Sequence, residues 1–111
     1  MRLRADFWVA AYIRRCESEG AFAVLRRRGA AEAGAIFVKL DCLDGRAALF
    51  GPAPQSEKPD GVDRVFARVH KQEWLEPLEV EQRLAKEVRF DPDLWLIEVE
   101  DRAGRCFLDL V

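Results

Sequence analysis

The chain is 111 residues long, 50% hydrophobic and 34% charged, with a formal net charge of −2 at pH 7. That length fits one domain spanning residues 1–111, and the apolar half excludes an intrinsically disordered chain. The near-neutral balance and a pI of about 5.5 exclude a uniformly basic nucleic-acid binder.

The first expected element is a helix that starts after Asp6, a good N-cap residue. Trp8, Val9, Tyr12, Ile13 and Cys16 recur along one helical face, and Gly20 supplies the stop. Arg2 and Arg4 ahead of apolar residues 7–13 imitate the start of a secretory signal. The run ends at Arg14-Arg15, however, and no small-residue cleavage site follows. No stretch approaches the roughly 18 apolar residues that a bilayer requires. A cytoplasmic protein is therefore expected. Cys16, Cys42 and Cys106 agree with it: they form no C-x-x-C pair, leave one thiol over in any pairing, and sit among apolar neighbours.

From residue 21 the pattern is that of strands. Residues 21–28 make one extended run and 35–42 a second. Asp44-Gly45 is the dipeptide of a type I′ turn, with positive φ expected at both, and residues 46–50 return as the other arm of a hairpin. Residues 51–61 (GPAPQSEKPDG) hold three of the five prolines and read as a Pro/Gly-rich loop. Residues 62–69 alternate as a strand, with Val65, Ala67 and Val69 on one face and Arg64, Phe66 and Arg68 on the other. Pro77 opens a second helix with Val80, Leu84 and Val88 on its buried side, and Asp91-Pro92-Asp93 closes it. Residues 94–100 form a strong strand, and residues 102–104 turn it into a closing strand over 105–110. The order α-β-β-β-β-α-β-β predicts an α+β domain: a predominantly antiparallel sheet of about five to six strands, covered by two helices.

Charge is unevenly placed. Residues 1–30 carry seven Lys/Arg against three Asp/Glu, residues 31–72 balance, and residues 73–111 carry five against eleven. Such polarity suits pairing within the fold or between two copies of the chain. Arg26 and Arg28 share one strand face, and together with Arg64 and Arg68 they are the candidate contacts for an anionic ligand or single-stranded nucleic acid. No RNP-type motif accompanies them. Trp74, in the polar run 71–74, is the aromatic expected to be most exposed and a candidate interface residue.

Catalytic patterns are sparse. His70 is the one histidine, so a multi-histidine metal site is excluded, and His70 with Glu73 makes only a weak H-x-x-E pair. Glu98, Glu100 and Asp101 cluster at a strand end, where Arg102 and Arg105 can neutralise them. No glycine-rich phosphate loop follows a strand. Neither a cofactor nor a metal is expected. The leading expectation is a non-catalytic binding module, a homodimer or a partner of another protein, with no membrane role. The alternatives are the arginine-based anion binder and an enzyme built on His70 with nearby carboxylates.

The segments FWVAAYIRRC, GAFAVLRRRG, AGAIFVKL, DGRAALFGPAP and FDPDLWLIEVEDRAG, in that order, resemble the DUF1491 family of short alphaproteobacterial proteins. The resemblance covers nearly the whole chain apart from the loop around residues 56–63. It implies one intact domain of bacterial origin, and it brings no catalytic residue or cofactor with it.

Overall fold

The computed structural model describes residues 2–111, without the side chain of Glu57. Its elements are α1 (Ala5–Ser18), β1 (Phe22–Arg27), β2 (Ile36–Asp41), β3 (Ala47–Pro52), a short 3-10 turn (Gln55–Glu57), β4 (Phe66–Arg68), α2 (Pro77–Phe90) and β5 (Trp95–Glu100). The five strands form one sheet in the order β1-β5-β2-β3-β4. Three pairings are antiparallel, and β2 runs parallel to β5. The α+β expectation therefore holds, with a mixed sheet.

Alternation along the strands divides the core in two. Ala23, Ile36, Val38, Leu40, Phe50, Phe66, Trp95, Ile97 and Val99 pack with Val9, Tyr12 and Cys16 of α1. Phe37, Leu49 and Leu96 pack on the other side with Val80 and Leu84 of α2. Each helix thus buries one apolar stripe against its own face of the sheet.

Local chemistry explains where the chain departs from expectation. The first helix starts one residue before Asp6, because the loop after β1 supplies its caps: the Ala5 and Asp6 amides donate to the Glu32 and Ala31 carbonyls at 3.1 and 3.0 Å. Its C-terminus closes as expected at Gly20, with φ +88°, and the Gly20 and Ala21 amides donate to the Glu17 and Cys16 carbonyls. The hairpin loop is wider than a two-residue turn. It closes through Cys42 N–H to the Arg46 carbonyl, with positive φ at Leu43 and Gly45 rather than Asp44 and Gly45. The Pro/Gly-rich stretch is less irregular than its composition suggests, since β3 continues through Pro52 and residues 55–57 form the 3-10 turn.

One expected strand does not form. Residues 105–110 cannot pair with β5, because β1 and β2 already occupy both of its edges. Asp101 instead accepts the Arg105 amide at 2.8 Å, Phe107 takes φ +57°, and the chain crosses to the opposite end of the sheet. There Phe66 N–H donates to the Asp109 carbonyl, covering the outer edge of β4.

Candidate interaction edge and the fate of the basic residues

The four arginines singled out by the sequence do not form one surface. Arg26 and Arg28 belong to the β1 end of the sheet and Arg64 and Arg68 to the β4 end. Four strand spacings separate those ends, about 19 Å. Arg26 points to the α2 side, where its guanidinium forks onto Glu81 at 2.8 Å through both Nη atoms and reaches Glu98 at 2.9 Å. Glu81 also accepts Nζ of the buried Lys39 at 2.7 Å. These charge-assisted bonds hold the Glu81 carboxyl down at about 2 and raise Arg26 above its ordinary value. Arg26 is thus a clamp between β1, β5 and α2.

Arg28 lies over the Trp95 ring, 5.3 Å from its centre. Arg68 donates from Nε to the Glu73 carbonyl at 2.9 Å and stacks 5.4 Å from Trp74, with Arg46 a further 5.0 Å neighbour of the same ring. Trp74 is therefore half-buried under two guanidinium groups rather than the most exposed aromatic. Arg64 is buried.

His70 lies just past β4 with both ring nitrogens bonded to main chain. Nε2 accepts the Leu49 amide at 3.0 Å, and Nδ1 lies 2.8 Å from the Gln72 carbonyl. A nitrogen that accepts an amide proton carries no proton of its own, so the ring is the neutral Nδ1–H tautomer. Burial and the positive charges of Arg83 and Arg68 lower its pKa, against a smaller upward pull from the Gln72 carbonyl. His70 acts as a splint joining β3 to the turn after β4, with no free lone pair for proton transfer. Asp101 is neutralised by Arg105 at 2.9 Å, as the sequence allowed, and Glu98 belongs to the Arg26 clamp. Among the described residues no three His, Cys, Asp or Glu side chains gather to hold a metal. No helix is long and apolar enough to cross a membrane.

One open sheet edge runs along β1. That strand pairs on one side only, with β5. Ala23 and Leu25 point into the α1 core. Phe22 and Val24 point to the α2 side, beyond the reach of α2, and remain 59% and 41% exposed. A bulge between Leu25 and Arg27 ends the regular ladder. The outer edge therefore offers a short regular segment with an apolar face. In local pattern residues 21–28 are an ordinary strand whose conspicuous side chains are its arginines. The missing information was strand order, since a strand is recognised as an edge only once its neighbours are known.

The whole architecture recurs in solved structures. It is similar to a DUF1491 family protein of Caulobacter crescentus in the crystal (36% identity, TM-score 0.81, covering 100% of this chain and 99% of that one). It is also similar to a protein of A. tumefaciens in solution (41% identity, TM-score 0.84, 100% and 96% covered). A DUF1491 family protein of C. crescentus determined by NMR matches at 41% identity with TM-score 0.80, over 100% and 98% of the two chains. No protein of curated function matches. With these likenesses spanning both chains, and the family model, described as a protein of unknown function, matching residues 3–109, the chain belongs to the DUF1491 family.

Proposed function

We propose that the protein is a non-catalytic interaction module whose working surface is the free edge of β1, and that its partner there is a second copy of the same chain. The observation that carries this reading is the coincidence of an unpaired strand edge with two exposed apolar side chains, Phe22 and Val24. An edge of that kind is a template for antiparallel pairing.

Two-fold symmetry makes the pairing self-complementary. With Ala23 on the axis, Phe22 of one copy stands beside Val24 of the other on the same face, and Arg27 comes opposite Glu19. The basic end of β1, Arg26-Arg27-Arg28, then approaches the acidic end of α1, Glu17 and Glu19, where the helix dipole is also negative. The bulge after Leu25 keeps the ladder short, so we expect self-association of about 10–100 µM rather than nanomolar strength. Rising ionic strength weakens it, because Glu17, Glu19 and Arg28 are solvent-exposed. The three thiols, all free, fit a reducing compartment such as the cytoplasm.

Sedimentation velocity from low-micromolar to near-millimolar protein tests this. The expected result is a concentration-dependent shift from monomer to dimer that Val24→Lys abolishes by placing like charges beside the axis. A wild-type protein that stays monomeric throughout overturns it.

A further inference from the structure

Arg64, just before β4, is 5% exposed. A guanidinium carries five N–H donors and stays charged in proteins. Here its hydrogen bonding is incomplete. Nη2 donates to the Leu3 carbonyl at 2.7 Å. The neighbouring carboxylate oxygen, Asp63 Oδ2, stands 3.5 Å from Nε, and neither atom has a hydrogen-bond partner among the described residues. Asp63 spends its other oxygen on the Leu3 amide at 3.0 Å. Burial, with repulsion from Arg2, lowers the Arg64 pKa, only partly opposed by Asp63. A buried charge left this way is costly unless something else supplies acceptors.

There is room for such a group. Arg64 lines a cavity of about 300 Å³ together with Arg2, Gly34, Gln55, Phe66 and Asp91. Gln55, on the cavity wall, contributes a further unsatisfied atom. Its Nε2 is held by the Ala53 and Val65 carbonyls, which fixes the amide orientation, while its buried Oε1 has no donor. The carboxylate on the wall, Asp91, is engaged with the Asp93 amide at 3.0 Å. The cavity thus holds two guanidinium groups, the Asp91 carboxylate and one orphan acceptor.

We propose that this cavity binds a small organic oxyanion that also carries a hydroxyl group, with Arg64 and Arg2 taking the anion and Gln55 Oε1 accepting from the hydroxyl. A carboxylate and a phosphate share the required chemistry, because either accepts from a guanidinium fork. The site lies at the β4 end of the sheet and does not depend on the β1 edge, so each proposal stands or falls alone.

The test is a pair of titrations of the full chain, followed by ¹H–¹⁵N correlation spectra at ionic strength held constant with sodium chloride. One probe is inorganic phosphate and the other is glycerate. The expected result is saturable shifts at the Gly34, Ala35, Gln55 and Val65 amides and the Arg64 Nε–H, with the tighter probe naming the anion. Arg64→Met removes the response, and Arg2→Ala weakens binding by about fivefold or more. Should Arg64→Met fold poorly, Gln55→Glu, which sets a carboxylate against the anion, serves in its place and also removes binding. The proposal is overturned if neither probe produces saturable shifts at these residues. It is overturned equally if Arg2→Ala and Gln55→Glu proteins bind as tightly as wild type.

Discussion

Glu81 on α2 accepts a 2.7 Å hydrogen bond from Nζ of Lys39, a residue only 5% exposed in the central strand β2. The same carboxylate takes the Arg26 fork from β1. One side chain thereby ties an edge strand and a central strand to the helix that covers them. Glu81→Gln leaves Lys39 with Glu98 as its carboxylate partner, at 3.8 Å. Since Glu81 itself is partly solvated, we expect a loss of about 1–3 kcal/mol at neutral pH, measured by urea unfolding.

The same group sets an acid limit. Glu81 titrates at about 2 in the folded protein against 4.5 as its ordinary value, because Arg26 and Lys39 hydrogen-bond the charged form. Its contribution is complete above 4.5 and disappears as pH falls toward 2. Stability curves for wild type and Glu81→Gln should therefore converge over that interval.

His70 gives a second dependence, at higher pH. Its pKa is lowered in the fold, so the unfolded chain takes up the proton first and stability falls as pH drops below about 6.5. Protonation also breaks the bond from the Leu49 amide. Long-range ¹H–¹⁵N spectra of this one histidine should show the Nδ1–H tautomer at pH 7. His70→Phe, which orphans that amide, should cost about 1–3 kcal/mol.

These assignments mark what the sequence could reveal. Val80, Leu84 and Val88 exposed the α2 stripe, and Trp95, Ile97 and Val99 the buried face of β5, because periodicity depends only on local spacing. The free edge of β1 and the crowding of β5 depend on strand order, which local spacing does not encode. That is why residues 105–110, apolar enough for a strand, were expected to pair with a β5 that has no open edge. The pairing of Arg26 lay beyond local spacing for a related reason. The acidic partners of Arg26, Glu81 and Glu98, are 55 and 72 residues distant. The burial of Arg64 and its cavity had no signal in its own strand pattern, which placed it merely opposite Val65.

Gly29 is fixed by close approach. A Cβ there would lie 2.3 Å from the Asp93 carbonyl oxygen and 2.6 Å from Trp95 Cδ1. The first obstacle is backbone and cannot swing aside. Gly29→Ala should lose about 2–3 kcal/mol, seen as a fall of about 10 °C or more in Tm.

The thiols should separate by reactivity. Burial pushes up the pKa of both Cys16 and Cys42, whereas Cys106 is half-exposed. A disulfide reagent added to native protein should modify Cys106 first, with Cys16 and Cys42 reacting only as the chain opens.

Self-pairing of β1 is tested most directly by an isotope-filtered nuclear Overhauser experiment on a mixture of labelled and unlabelled chains at high concentration. Intermolecular contacts are expected between the Phe22 ring and the Val24 methyls, lost on dilution and on raising the salt. Intermolecular contacts confined to other residues, or none at all in that mixture, would contradict it.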